Sequence, residues 1–414
     1  MTLSEELKWR GLIEQTTFKD IKAIDKGSIT FYWGVDPSAD SMTVGNLAAA
    51  MLVKHFIKAG HKAVLLIGGA TGLIGDPDGK ASERQLQTLD QIDKNKKAII
   101  NQYKDIFKGE NFEIVDNFNW FNNMSYLEFL RDIGKHIPMR HMLGREFIDT
   151  RLGEGGSGIS YAEFSYVLIQ AYDFLHLFKT KNVTLQLSGS DQWGNAIAGV
   201  DLVRRITSKS VDVLTQPLVV DRTTGRKFGK SEKGAIWLDP KKTSPTAFYQ
   251  FWINMPDEDI EGYLKIYTFL NKKELDKLIA DHKKEPQKRL AQKKLSLETT
   301  KLVHGEKAAN LAISVTEYLI GHKSITEANK QELKAISTEI PVIKLSDDKD
   351  LIKALVDSQL ASSNTEARKL ISSGAISLDG KTLANTNLED LKITGKRHLI
   401  RRGKAFRDSA IIES

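Results

Sequence analysis

The chain has no cysteine among its 414 residues. That excludes disulfides and thiolate metal sites, and it fixes no redox compartment. No apolar run is long enough to cross a bilayer, so no membrane-spanning role is expected. The first residues, MTLSEELKWRGLIEQTT, mix acidic and basic side chains at helical spacing. They offer neither an apolar signal core nor an acid-free transit pattern, and a cytoplasmic location is the expectation. The nine histidines are scattered. No His/Asp/Glu group has metal-ligand spacing, and no nucleophile is paired with a base. His55, His61, His176 and His282 fall in helical patterns and read as surface or packing residues. Trp193 and Trp237 read as packing residues too. Any chemistry here works by positioning and charge, not through a covalent enzyme intermediate.

What is present is an ordinary folded composition, 41% hydrophobic and 27% charged, long enough for two or three domains. The stretch Tyr32–Leu47, YWGVDPSADSMTVGNL, organises the first of them. Ile29–Trp33 is β-branched and aromatic and predicts a buried strand. Gly34, Asp36-Pro37 and Ser38 break it, and from Val44 the pattern VGNLAAAMLVKHFIKAG predicts a helix closing at Gly60. A strand that breaks over Gly and Pro into a helix N-terminus leaves free N–H groups in a mouth suited to phosphate.

Further on, Ala63–Ile67 predicts a second strand entering the glycine-rich turn GGATGLIGDPDGK. Ser82-Glu83-Arg84 leads into a long, polar helical stretch to about Phe107, followed by a strand over Asn111–Val115 and an aromatic helical segment over Trp120–Met142. Gly153–Gly158 is a glycine-rich loop, followed by a helix over Tyr161–Phe178, a strand over Val183–Leu187 and a helix through Ile197–Ile206. Strand-like pieces surround Leu218-Val219-Val220 and Ala235-Ile236-Trp237. This alternation predicts an α/β fold, a parallel sheet wrapped by helices with its ligand at the carboxyl ends of the strands.

From Ser244-Pro245, a cap with proline at the first helical position, nearly everything to Leu319 is helix-patterned. Gly321–Asp350 reads as linker or irregular structure. The last part carries a helix over Leu351–Ser358, a capping box at Ser363–Glu366, a strand over Ala375–Leu378 and a hairpin signal at Asp379-Gly380. The net charge is +7, and basic residues gather in this last part, among them Arg368, Lys369, Arg401, Arg402 and Lys404. That is either a solvated charged face or a footprint for a phosphate backbone.

Two glycine-rich segments fail as standard nucleotide loops. Gly69–Gly75 follows a strand but lacks the G-x-G-x-x-G spacing. Gly225–Ser231 is one residue short of a P-loop, yet Lys227, Lys230 and Ser231 remain good pyrophosphate ligands if they fold over a site. In EFSYVLIQAYDFLHLF, Tyr166, Gln170 and Asp173 share one helical face. Periodicity alone favours a water-facing stripe; the other reading is a pocket wall with a phenol, an amide and an acceptor aimed at a small polar ligand.

Taken jointly, YWGVDPSADSMTVGNL, GGATGLIGDPDGK with the following SER, EFSYVLIQAYDF, GSDQWGN and KFGKS resemble the bacterial-type tyrosyl-tRNA synthetases, a class I aminoacyl-tRNA synthetase family. The likeness runs nearly end to end. It implies a Rossmann-like catalytic domain over 1–240, a helical domain contacting the tRNA anticodon region over 241–330, a linker at 331–349 and an RNA-binding domain over 350–414. That last domain resembles one found in a small-subunit ribosomal protein.

The resemblance also implies roles. Tyr32 and Asp173 match the pair bonding the phenol of substrate tyrosine; Asp76, Tyr166 and Gln170 match the ammonium site, with Gln192 near the carboxylate. Gly34, Asp36, Ser38, Gly189 and Asp191 fall at ATP contacts, Asp191 at the ribose. Thr43, Gly45 and Asn46 occupy the HIGH motif, with both imidazoles replaced. Lys227–Ser231 stands for KMSKS, and Lys80 and Arg84 match mobile-loop cations reaching pyrophosphate. ATP with Mg²⁺ as substrate, tRNA for tyrosine, L-tyrosine and a homodimer are implied, with Trp120–Met142 near its interface and no protein-bound metal. The rival readings are a non-catalytic RNA-binding paralogue that has lost activation, and an unrelated nucleotidyl transferase acting on a small amine.

Overall fold

The computed structural model describes residues 1–77, 86–137, 151, 156–220, 228, 230–231, 234–344, 351–384, 397–403 and 408–413. The chain divides into two compact units, one of residues 1–242 with 257–279, the other of 243–256 with 280–414.

The first unit begins with helix α1 (Leu3–Arg10) and a two-residue strand β1 (Gln15–Thr16). Strand β2 (Thr30–Val35) is buried along most of its length and leads into α2 (Val44–Lys58), with Gly60 at φ +92° after it. Strand β3 (Lys62–Ile67) follows, apolar on both faces as a central parallel strand must be. Then come α3 (Gly69–Ile74), α4 (Leu89–Ile106), β4 (Phe112–Asp116), the four-residue α5 (Phe118–Phe121) and α6 (Tyr126–Asp132). Helix α7 (Tyr161–Lys181), β5 (Leu185–Gly189), α8 (Trp193–Thr207) and β6 (Asp212–Gln216) complete the layer.

The sheet order is β1-β6-β5-β2-β3-β4. Every pairing is parallel except that of β1 with β6, an antiparallel edge. Strand order reverses between β2 and β5, where Tyr32 stands in register with Gln186. A crevice opens at such a reversal beyond the strands' carboxyl ends. Helices α7 and α8 cover one face through a core including Tyr32, Leu66, Phe174 and Leu202. Helix Ile260–Tyr267 belongs to this unit as well: Tyr267 donates to the Val44 carbonyl at 3.1 Å, and Arg10 donates to the carbonyls of Lys265, Thr268 and Leu270.

Two local expectations change. The glycine-rich stretch after β3 is no mere turn, because Gly69–Ile74 is helical. Its entry is so tight that a Cβ on Gly68 would lie 2.0 Å from Asp36 Oδ1 and one on Gly69 2.3 Å from Asp116 Oδ1. Strand β6 lies at Asp212–Gln216, ahead of the Leu218–Val220 stretch that looked strand-like. The long polar helix begins at Leu89, where the Thr88 hydroxyl accepts from the Gln91 N–H; residues 82–85 lie outside the described residues.

In the second unit, Ser244 caps helix Pro245–Ile253, which packs with helices Leu290–His304 and Glu306–Leu319. The segment expected to be irregular carries helix Lys330–Glu339 and strand β9 (Val342–Lys344). Strand β9 pairs in parallel with β13 (Ser409–Glu413), at the edge of a sheet with β10 (Ile376–Leu378), β11 (Lys381–Thr382) and β12 (Arg397–Arg402). Asp379 and Gly380 join β10 to β11 with φ of +47° and +80°, both positive as a type I′ turn demands. Among the described residues no helix is long and apolar enough to cross a membrane.

Candidate active site

A cavity of about 360 Å³ opens at the β2–β5 reversal. The polar stripe of α7 faces into it: Tyr166 and Asp173 are buried, Gln170 half-buried, and all three line the cavity. The water-facing reading of that stripe is therefore overturned, because α7 lies against the sheet with these residues turned toward the crevice. Tyr32 from β2 lines the same wall, and so do Asp36, Asp76 and Gln192.

A buried network fixes the deep end. Asp173 Oδ1 accepts from the Trp120 indole N–H at 2.9 Å, and Oδ2 accepts from Asn117 Nδ2 at 3.1 Å. Asn117 Nδ2 also donates to Thr71 Oγ1 at 3.1 Å, while Asn117 Oδ1 accepts from the Ala70 N–H at 2.6 Å. Thr71 in turn donates to Asp36 Oδ1 at 2.6 Å, and Tyr166 donates to Asp36 Oδ2 at 2.7 Å. Burial pushes the Asp173 carboxyl well above the usual aspartate range, reinforced by the charges of Asp36 and Asp116 and opposed by the two donors. Burial raises Tyr32 and Tyr166 as well, followed by repulsion from Asp173 for the first and from Asp36 and Asp76 for the second. The Tyr32 hydroxyl and Gln170 Oε1 are buried with no hydrogen-bond partner among the described residues. Orphan polar atoms facing a cavity are groups awaiting a ligand.

The shallower end is built from loops. Gln192 Nε2 donates to Asp76 Oδ2 at 2.6 Å, and Asn195 donates to Gln192 Oε1 at 3.1 Å. Gly34, Ser38, Gly189 and Asp191 line this part, with Gly45 beneath the Phe228 carbonyl. At the start of α2, Asn46 Oδ1 accepts from both the Thr43 N–H at 2.9 Å and the Thr43 hydroxyl at 3.1 Å. The amide oxygen faces two donors, so Asn46 Nδ2 is left to donate elsewhere. The Thr43 hydroxyl gives its proton to Asn46, and its role becomes one of orientation. With the positive end of α2, this N-terminus suits phosphate oxygens.

Lys230-Ser231 (β7) pairs antiparallel with Gly234-Ala235 (β8). Phe228 is buried, its ring stacked on Tyr263 at 4.6 Å. Lys80, Arg84, Lys227 and Lys404 lie outside the described residues. Of the basic candidates in the second unit, Arg368 and Lys369 are exposed on helix Asn364–Ser372. Arg402 donates to the Leu360 carbonyl at 2.9 Å and stands 3.3 Å from Glu366. Arg401 is half-buried as Arg402 is, and its guanidinium donates to the Leu319 carbonyl, which ties β12 to a helix end.

The residue spacing did not reveal Asn117, Trp120, Thr71 or Gln186, though Gln186 and Thr71 line the cavity and the other two hold Asp173. Asn117, fully buried just past the end of β4, is the one with a legible signal, a polar side chain at the carboxyl edge of a parallel strand. The cavity holds a carboxylate and a phenol at one end and amide and helix-terminus donors at the other. Such a site can bind a polar aromatic molecule and bring it against a phosphate-bearing one.

Residues 25–320 match the family model for class I tRNA synthetases of the W and Y kinds, and residues 332–406 match the model for the tyrosine–tRNA ligase SYY-like C-terminal domain. The chain is 42% identical over 412 residues to a tyrosine–tRNA ligase of Limosilactobacillus reuteri, covering 98% of each chain. Among solved structures it resembles the C-terminally truncated mitochondrial tyrosyl-tRNA synthetase of Aspergillus nidulans, at 30% identity and TM-score 0.69 over 77% of this chain and 94% of that one. The truncated mitochondrial enzyme of Coccidioides posadasii is similar at 31% identity and TM-score 0.67, over 76% and 91%.

Proposed function

The chain belongs to the tyrosyl-tRNA synthetase family of class I ligases, and on that premise we propose that it joins L-tyrosine to its tRNA in two steps. In the first, the tyrosine carboxylate attacks the α-phosphate of ATP, supplied with Mg²⁺ as substrate, and pyrophosphate leaves. In the second, a terminal ribose hydroxyl of the tRNA attacks the activated carboxyl and AMP leaves. The substrate brings its own nucleophile, so the protein's work is alignment and stabilisation of charge on phosphate oxygens.

One observation carries this reading: the orphan Tyr32 hydroxyl and the doubly held Asp173 carboxylate share the deep end of a single cavity. Tyr32 and Asp173 bond the substrate phenol there; phenylalanine would leave the buried Tyr32 hydroxyl without a partner, at about 1–3 kcal/mol, and would offer Asp173 no third donor. Asp76, Tyr166 and Gln170 take the ammonium, and Gln192 lies toward the carboxylate. Asn46 at the α2 N-terminus meets the phosphates with Gly45 beside it. Gly34, Asp36, Ser38, Gly189 and Asp191 border the nucleotide. Lys80, Arg84, Lys227 and Lys230 neutralise the departing pyrophosphate, and the Ser231 hydroxyl donates to it.

Arg368, Lys369, Arg401, Arg402 and Lys404 take tRNA phosphates in a C-terminal domain over 350–414. A catalytic domain over 1–240 and a helical domain over 241–330 precede it. The working unit is a homodimer in the cytoplasm; support for pairing is the exposed Tyr126, Leu127 and Tyr161, at 62%, 76% and 62% accessibility. Exchange of pyrophosphate into ATP that requires tyrosine, followed by charging of tRNA, is the test. A paralogue that has lost activation gives no exchange, and an unrelated nucleotidyl transferase gives exchange only with another substrate.

A further inference from the structure

His176 has so far been only one of several scattered histidines, yet it lies against a side chain that holds Asp173 at the deep end of the cavity. Asp173 and His176 are three residues apart on α7 and share a face. The Trp120 indole from α5 lies across both. Its N–H donates to Asp173 Oδ1 at 2.9 Å, and its ring is stacked on the His176 imidazole at 4.4 Å with only 17° between the planes. Tyr172 stands beside the pair, 6.0 Å from His176 and 5.4 Å from Phe121.

The two donors to Asp173 are not equally fixed. Asn117 is fully buried and its amide is tied to the Ala70 N–H and Thr71 Oγ1. Trp120 projects half-buried from a four-residue helix, so the plane of its indole is set by what it lies against. A flat ring three residues along from the accepting carboxylate supplies that plane.

We propose that His176 is a positioning residue for amino-acid selection, its ring backing Trp120 so that the indole N–H stays on the carboxylate that meets the substrate phenol. The proposal rests on the reading of the cavity as a tyrosine site. Burial, and then the charges of Lys181 and Lys179, lower the imidazole's pKa, so the stack is that of a neutral ring. What the stack requires is flatness, and another aromatic ring meets it.

The experiment compares wild type with His176→Ala, His176→Leu and His176→Phe in tyrosine-dependent pyrophosphate exchange, with tyrosine and ATP each varied. Expected for Ala and Leu is a tyrosine KM raised about tenfold and a tyrosine-over-phenylalanine preference lowered about tenfold, with ATP KM and kcat within about twofold. His176→Phe restores both within about twofold. In NMR, the Trp120 indole N–H, assigned as the resonance missing from Trp120→Phe, exchanges faster with solvent in Ala and Leu and is protected in Phe. An unchanged tyrosine KM in His176→Ala overturns the proposal alone. So does equal damage to tyrosine, ATP and kcat that Phe does not rescue, which marks a merely structural residue. A wild-type protein without tyrosine-dependent exchange overturns the cavity reading and the proposal with it.

Discussion

The arrangement at the start of α2 ranks two substitutions before any assay is run. Thr43 gives its hydroxyl proton to Asn46 Oδ1 at 3.1 Å, and its N–H goes to the same atom at 2.9 Å. Thr43→Ala therefore removes one neutral hydrogen bond that orients the amide, about 0.5–1.5 kcal/mol. If all of that is lost from the activation barrier, the rate falls about 2- to 13-fold. Asn46→Ala removes the amide donor itself, and a bond to a charged phosphate oxygen counts for about 1.5–3 kcal/mol. That corresponds to a loss of about 13- to 160-fold. Neither side chain belongs to the network around Asp173, so the tyrosine KM stays within about twofold in both variants. Single-turnover formation of the adenylate, with tyrosine and ATP varied separately, measures all three quantities. If Thr43→Ala proves as damaging as Asn46→Ala, the hydroxyl meets the phosphate directly and the orientation argument is wrong. A large change in tyrosine KM would remove both residues from the nucleotide end.

Three further outcomes follow from particular contacts. Tyr32→Phe removes a buried hydroxyl with no partner among the described residues, so the ligand-free protein gains about 1 kcal/mol and melts at higher temperature, while tyrosine KM rises about tenfold; calorimetry with and without tyrosine shows both. Burial, with Asp36 and Asp116, raises the Asp173 pKa. On the proposed reading the ionised form accepts a hydrogen bond from the substrate phenol, so tyrosine KM rises as pH falls through that raised value and is flat above it. A KM that stays flat down to the ordinary aspartate range near about pH 4 would contradict this. Arg151 and Glu163 form a buried bidentate pair at 2.9 Å under the first turn of α7. Arg151→Met strands the Glu163 charge and costs about 3–5 kcal/mol in urea unfolding, and adding Glu163→Gln recovers part of it.

The sequence carried most of the first unit because its signals are local. Ile29–Trp33, Ala63–Ile67 and the helix pattern over Tyr161–Phe178 lie within single elements whose periodicity is set by neighbours in the chain. Strand β6 escaped because Asp212–Gln216 has polar residues at both ends and only its pairing with β5 makes it a strand. Strand β9 escaped for a like reason: Val342–Lys344 is three residues long and is held by β13, far along the chain. The α7 stripe shows the limit of periodicity. The same spacing serves a water-facing row and a pocket wall, and only the sheet beneath α7 decides between them. The charge of Arg401 and Arg402 is legible in the sequence, while the carbonyls they face are not.

The path Asp173–Asn117–Thr71–Asp36–Tyr166 is continuous, each knot donating to or accepting from the next. Remodelling the hollow for a different aromatic amino acid therefore cannot begin by swapping the carboxylate alone. An amide there would keep one acceptor for two donors, so its NH2 would face either the Trp120 N–H or the Asn117 amide, and Asn117 is not free to rotate while Ala70 holds its oxygen. Both ends of the guest molecule are tuned by one string, and a redesign has to retie that string first.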